Sequence, residues 1–252
     1  MPLSQHNKFS TKSDLYASAR PRYPEALFKY LMTLCPDLER AWDCGTGSGQ
    51  AATSLGPYFQ QVEATDVSPE QISHAHMTQG VTYTVQPAEA TTFPADYFSL
   101  VTVAQALHWF DLEKFWPEVQ RVLKPGGIFA AWTYSWFQVS PELDIIIKAE
   151  LLNTLESYWA PQNRLVWHGY QTISFPFTEL TPPEIVFCQA WNLVQLLSYL
   201  GTWSATKNYI AAQGDDGFNR LVKTLAQAWG DWQITRTVSM DFYLRVGRYE
   251  PR

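Results

Sequence analysis

The chain has 252 residues, enough for one sizeable core or for one domain with an appended lobe. Hydrophobic residues make up 46% and charged residues 17%, a balance that can bury enough apolar surface to order the chain and that excludes a disordered, highly charged class. The formal net charge is −6 with no visible Lys/Arg cluster, which argues against tRNA, rRNA or DNA as substrate, because such enzymes need a basic face to replace phosphate counterions.

Residues 1–15 are polar and carry no apolar core of a signal peptide. From Pro24 the stretch EALFKYLMTL turns helical, with apolar positions at Leu27, Tyr30, Leu31 and Leu34, and Cys35-Pro36-Asp37 ends it. A strand–helix rhythm follows. Strands are predicted over 40–44, 61–66, 81–85, 98–104 and 128–132, and helices from 50 and 69 and over 112–123. Ser68-Pro69-Glu70-Gln71 reads as a helix start, with Ser68 as cap, Pro69 at the first helical position and Gln71 placed for a capping box. Residues 98–104 are almost continuously apolar, as expected of a strand covered on both faces. Lys124-Pro125-Gly126-Gly127 reads as a turn. This alternation predicts a mostly parallel sheet wrapped by helices.

After about residue 134 the rhythm breaks. Residues 141–159 look helical, 160–183 read as loops, and 184–191 reads as a strand. Helices are predicted near 192–200, 204–213 and 216–229, and a final strand over 235–246 with period-two alternation. The expected organisation is a single domain. Residues 1–35 form an N-terminal cap segment and helix, 36–134 a cofactor-binding core, 135–230 a lid or substrate lobe, and 231–252 the final strand.

The most informative stretch is Asp43-Cys44-Gly45-Thr46-Gly47-Ser48-Gly49, where a strand enters a loop with glycine at every second position and then a helix. Such glycines permit positive φ and let a ligand approach bare backbone. The dinucleotide fingerprint fails when read from Gly45, because its third position is Gln50; read from Gly47 it is met by Ala52. A nicotinamide-dependent oxidoreductase therefore stays open as an alternative. Asp43 is no part of that fingerprint, and a carboxylate there could face the cationic end of a ligand. Asp66 closes the second strand, where an acid can accept hydrogen bonds from ribose hydroxyls.

Together the stretch DCGTGSG, Asp66, Pro87-Ala88-Glu89 and Lys124-Pro125-Gly126-Gly127 resemble the class I S-adenosylmethionine-dependent methyltransferases. Three further pieces resemble the trans-aconitate methyltransferases and related small-molecule O-methyltransferases: Tyr16–Pro24, Gln105–Phe110 and Gly201–Ser204. The resemblance implies an α/β, Rossmann-like, mostly parallel seven-stranded sheet, helices on both faces, and a helical lid or substrate insertion before the last strands. It implies S-adenosyl-L-methionine as cofactor and S-adenosyl-L-homocysteine as product. Asp43, Gly45, Thr46, Gly47 and Gly49 would hold the methionine part, and Asp66 the ribose. Val67 would flank the adenine. Ala88 and Glu89 would lie near the adenine ring and its amino group, although many members carry Asp at the position of Glu89. Gln105 would sit beside the methionine end or the reacting centre. A protein that holds this nucleotide without catalysis is a further alternative, because methyl transfer leaves few obligatory catalytic residues.

His108 follows the fourth strand and is a candidate base, a donor to an acceptor oxygen, or a helix-start histidine bonded to a backbone carbonyl. Trp109 is a candidate pocket wall. In the N-terminal segment, Tyr16 and Arg20 are candidates to close the site, the guanidinium being able to grip a carboxylate through two hydrogen bonds; a solvated Arg20 is the plainer reading. Trp132, Tyr134 and Trp136 alternate after strand five and suit core packing, with Trp136 as a candidate substrate contact. The cysteines (Cys35, Cys44, Cys188) lie far apart, and no metal-ligand spacing is seen. With no run of about 18 apolar residues, a cytoplasmic enzyme acting on a small molecule is expected, possible carboxylic acids among its acceptors.

Overall fold

A computed structural model describes residues 20–251. Helix α1 (Glu25–Leu34) turns Leu27, Phe28 and Leu31 inward and stops at Cys35, whose backbone is extended at φ −69° and ψ 142°. Pro36 explains the stop, since a residue before proline is pushed out of the helical region. The strand–helix alternation then appears as β1 (Arg40–Cys44), α2 (Gln50–Leu55), β2 (Gln61–Asp66), α3 (Pro69–Ser73), β3 (Val81–Val85), β4 (Phe98–Ala104), α4 (Leu112–Val122) and β5 (Leu123–Gln138). Ser68 caps α3 by accepting from the Gln71 N–H at 3.3 Å, one half of the expected capping box.

Strand order in the sheet is β3-β2-β1-β4-β5-β8-β6, with β6 at Thr178–Leu180 and β8 at Arg236–Arg248; β7 (Cys188–Trp191) pairs with β8 off this path. The β1–β2, β2–β3, β1–β4 and β4–β5 pairs are parallel, and β6 and β7 run antiparallel to β8. β4 lies centrally and buries its first six residues, which explains its apolar run. Two core clusters cover the faces of the sheet. One gathers Trp42, Phe98, Phe115 and Phe129; the other gathers Leu27, Leu31, Leu55, Val62 and Trp132. The predicted turn at Lys124–Gly127 is an irregularity inside β5: Phe98 pairs with Leu123 but Leu100 with Ile128, so four residues bulge out opposite Ser99.

The chain divides into two compact units. The sheet unit comprises 23–135, 164–187 and 241–251 of the described residues. Among the described residues, the helical unit comprises 20–22, 136–163 and 188–240. Residues 164–187, expected in a lid lobe, instead belong with the sheet. They contain the end of a short helix α6 (Asn163–Trp167) and strand β6, where loops were predicted. Five and three residues are too few for periodicity to register. In the helical unit, α5 (Pro141–Ile147) continues through a π-turn (Lys148–Leu152) into Asn153–Leu155, and α7 (Leu193–Thr202), α8 (Ser204–Gln213) and α9 (Asp216–Trp229) follow. β7 is half the length predicted and starts after Pro182-Pro183.

Candidate functional site

Strand order reverses between β1 and β4, so their carboxyl ends flank the point where ligands bind in open α/β sheets. The glycine loop leaves β1 at that point, and Gln105–Phe110 leaves β4 beside it. Gly45 has φ +68°, and a Cβ there would stand 2.7 Å from the Ala106 Cβ and 3.0 Å from the Phe110 ring. Glycine at 45 thus serves two needs: a left-handed backbone and close packing of the two loops. At Gly49, with φ +87°, a side chain would collide with the Tyr83 phenol.

Asp43 organises the loop. Its Oδ2 accepts from the Thr46 hydroxyl at 2.6 Å and the Ala52 N–H at 3.0 Å, and its Oδ1 accepts from the Thr102 hydroxyl at 2.9 Å. The side chain is completely buried. Burial pushes its pKa up to about 6, against the pull of those three donors and with a small further push from the charge of Asp66. The Asp43 carboxylate holds the loop between β1, β4 and α2. Thr46 is its partner, and the Thr46 N–H is bonded to the Thr65 carbonyl at 2.9 Å.

Asp66 lies where the sequence placed it, at the end of β2, and is half-buried. Its Oδ2 accepts from the Gly47 N–H and its Oδ1 from the Ser68 N–H, both at 2.9 Å. Each oxygen keeps a lone pair for a further donor such as a ribose hydroxyl. Next to it Val67 is 72% exposed, unusual for a valine beside a buried strand end, while Ala88 is buried. An exposed valine, an acid with spare lone pairs and an open glycine backbone at Gly47 fit a nucleoside. Glu89 accepts from the Asp111 N–H at 3.0 Å. It thereby caps α4, whose own N-cap residue Asp111 makes no side-chain cap. Sequence reasoning missed this second role.

Gln105 is bonded at both ends of its side chain. Its φ is +56°, its N–H donates to the Trp132 carbonyl at 2.9 Å, its Nε2 donates to the Tyr134 carbonyl at 2.9 Å, and its Oε1 accepts from the Thr133 hydroxyl at 2.6 Å. Both ends of the amide are engaged by β5, so Gln105 anchors the loop. The strained backbone turns the chain sharply into Ala106–Phe110.

His108 sits in the 3₁₀ turn Leu107–Trp109 and is buried. Its Nδ1 is 3.1 Å from the hydroxyl of Tyr170, not bonded to a backbone carbonyl. Burial pushes its pKa down to about 4, so the ring is neutral at physiological pH. Trp109 beside it is 56% exposed. Tyr170 had no signal in the sequence: it stands in an aperiodic segment, 62 residues from its partner.

Tyr16 falls outside the described residues. Arg20 and Trp136 belong to the helical unit. Trp136 packs edge-on against Trp159 and Trp203, with ring centroids 6.4 and 6.5 Å away. Trp132 is core, packed edge-on against Tyr23 and Phe28. Among the described residues no three His, Cys, Asp or Glu side chains gather as a metal site, and no helix is long and apolar enough to cross a membrane.

Residues 42–131, which hold the glycine loop, Asp66, Glu89 and His108, match a family described as a methyltransferase domain. A Dictyostelium discoideum protein named as a putative methyltransferase is 30% identical over 232 residues, covering 90% of this chain and 88% of its own. Yeast CRG1, named as a probable S-adenosylmethionine-dependent methyltransferase, is 27% identical over 167 residues, 63% of this chain and 55% of its own. A solved structure from Anaeromyxobacter dehalogenans, described as a putative type II methyltransferase, superposes with a TM-score of 0.85 at 40% identity, covering 92% of this chain and 99% of that one. The Bacillus subtilis YcgJ structure shares the fold at a TM-score of 0.52 and 19% identity, over 90% and 98% of the two chains.

Proposed function

Because the chain belongs to the class I S-adenosylmethionine-dependent methyltransferases, we propose that it transfers the methyl group to a carboxylate or hydroxyl oxygen of a small molecule. The observation that carries this reading is the exposed Trp109 beside the neutral His108 at the carboxyl end of β4. An aromatic face and one ring nitrogen suit a small acceptor. The net charge of −6 disfavours a polyanionic one. The likeness of Gln105–Phe110 and Gly201–Ser204 to the trans-aconitate methyltransferase subgroup makes small carboxylic acids the first class to try.

When bound, S-adenosylmethionine supplies an activated methyl group on a sulfonium; the protein supplies position and a dry site. In this reading the backbone of Gly45–Gly49, held by Asp43, receives the methionine part. Asp66 accepts from the ribose. Val67 and Ala88 enclose the adenine, and Glu89 offers its remaining lone pairs to the adenine amino group. Gln105 keeps the His108–Trp109 turn in register with the glycine loop, through the Gly45–Ala106 contact.

The test is incubation of the purified protein with methyl-labelled S-adenosylmethionine and, separately, small carboxylic acids, phenols and total RNA. Label is expected in a small-molecule ester or ether. Label entering RNA alone, with none in either small-molecule class, would overturn the reading. The same assay separates an enzyme from a protein that holds the nucleotide without turnover.

A further inference from the structure

Tyr170 is fully buried, and its peptide is held on both sides. Its N–H donates to the Leu165 carbonyl at 2.9 Å, and its carbonyl accepts from Arg245 Nη1 at 2.9 Å. Arg245 is itself fixed: Nη1 also donates to the Ile173 carbonyl at 2.7 Å, Nε donates to Glu179 at 2.8 Å, and the guanidinium lies 4.3 Å over the Phe175 ring. These contacts keep Tyr170 at φ +60°, a region that a bulky non-glycine residue occupies at a cost. Gly169 just before it is also left-handed, at φ +58°. The Gly169 and Tyr170 N–H groups close the end of α6 on the Val166 and Leu165 carbonyls, and the same turn brings the Tyr170 hydroxyl to His108.

The direction of that hydrogen bond decides the chemistry of the histidine. Burial pushes the Tyr170 pKa up, against the smaller downward pull of the Thr133 hydroxyl and the backbone N–H groups of Leu107 and His108, which face the phenol oxygen; Thr133 gives its own proton to Gln105. An imidazole nitrogen is a far stronger acceptor than a hydroxyl oxygen, and at 3.1 Å it is the one that meets hydrogen-bond geometry. If instead Nδ1 carried the proton and donated to the phenol, the phenol O–H would have to turn to the Thr133 oxygen, a weaker acceptor outside hydrogen-bond geometry. On the far side of the ring, Nε2 has no hydrogen-bond partner among the described residues, and it is not one of the polar atoms sealed from solvent.

We propose that Tyr170 is a positioning residue that donates to Nδ1 of His108, which places the imidazole proton on Nε2 and makes His108 a hydrogen-bond donor, not a base, toward the methyl acceptor. The inference rests on the proposed function in one respect, that His108 faces the acceptor. Its consequence for the reaction is simple. An ionised acceptor oxygen forms the bond to the methyl carbon, the carbon–sulfur bond breaks, and its electron pair stays on sulfur. The oxygen and sulfur charges both vanish and no proton changes hands. His108 holds the acceptor through Nε2–H, and burial keeps the ring neutral throughout.

The test reads the tautomer directly. Protein labelled with ¹⁵N-histidine gives separate ring-nitrogen signals for its five histidines, and His108→Gln identifies those of His108. The expected result near neutral pH is the Nε2–H tautomer in the wild type and a mixture of tautomers in Tyr170→Phe. An Nδ1–H tautomer in the wild type, or a Tyr170→Phe spectrum identical to it, would overturn the proposal. Should Tyr170→Phe fail to fold, the wild-type spectrum decides. A kinetic arm uses the conservative variant. Gln retains a donor amide, so His108→Gln is expected to raise KM while keeping kcat within about tenfold, whereas His108→Leu loses about 100-fold or more in kcat/KM. Equal loss in both variants would mark a base and sink the idea. The spectra need no acceptor, so a failed acceptor screen would count against the proposed function and leave the tautomer assignment standing.

Discussion

The carboxyl end of the sheet and the helical unit are held together by different physics. At the sheet end, Asp43, Asp66, Glu89 and Gln105 each bind the backbone or a hydroxyl of another segment, so every loop of the site is fixed by directional bonds. In the helical unit such bonds are mostly local, as in the Asn192–Gln195 capping box and the Asp144 carboxylate on the Val139 N–H, and much of the packing is rings and aliphatic side chains: Trp136, Trp159 and Trp203 form one group, and Leu196, Leu200, Leu221 and Leu225 are almost wholly buried. Sealed polar atoms without a hydrogen-bond partner among the described residues occur in both units, Asn163 Oδ1, Thr206 Oγ1 and Arg236 Nε in the helical unit and Trp132 Nε1 and Ser135 Oγ in the sheet unit. The helical unit also has a half-open pocket of about 250 Å³, lined by Leu151, Leu155, Phe218 and Leu221 together with Glu150 and Arg220. Directional bonds tolerate few residue types, whereas apolar packing accepts many combinations of similar volume. The cofactor end is thus the part a sequence must specify residue by residue.

That contrast can be broken by substitution. The largest effect is expected from Asp43→Ala, which leaves the Thr46 and Thr102 hydroxyls and the Ala52 N–H without their buried acceptor. A loss of roughly 3 kcal/mol or more in a urea melt is expected, together with loss of S-adenosylmethionine binding by calorimetry. A variant as stable as the wild type would show that the loop is not held by this carboxylate.

The next effect is one of pH. Because the folded pKa of His108 is about 4, below its ordinary value near 6.5, the unfolded chain binds the extra proton first. The associated stability is fully present above the ordinary value and is lost as pH falls through the window down to about 4, a swing of roughly 3 kcal/mol. Asp43 acts in the opposite sense: its raised pKa makes the folded state the better proton binder between its ordinary value and about 6, so its contribution falls as pH rises there. Subtracting the stability–pH curve of His108→Gln from that of the wild type isolates the histidine. A flat difference would contradict its burial as a neutral ring.

The smallest effect should come from the helical unit. Trp136→Leu removes ring contacts but leaves an apolar side chain, so a loss of about 1–2 kcal/mol is expected, with S-adenosylmethionine affinity unchanged. A large fall in cofactor affinity would erase the distinction between the two regions.

Much of this molecule was readable before it was folded. Every strand from β1 to β4 and helices α1 to α3 fall where apolar periodicity, the Ser68 cap and the prolines put them, because those signals act within a few residues. The glycine loop and Asp66 were readable for the same reason: φ above zero and a strand-end carboxylate are local demands. The sequence by itself therefore determined the α/β alternation, the cofactor loop and, through them, the family. Tertiary structure decided what each polar side chain does with its hydrogen bonds. Asp43 turned inward because Thr102 and Ala52 arrive from other elements. Gln105 anchors to β5, Glu89 caps α4, and Tyr170 reaches His108 across 62 positions. Residues 164–187 returned to the sheet unit on contacts that no local pattern announces. A side chain's partner across such distances is set by how the chain packs, and periodicity carries no record of it.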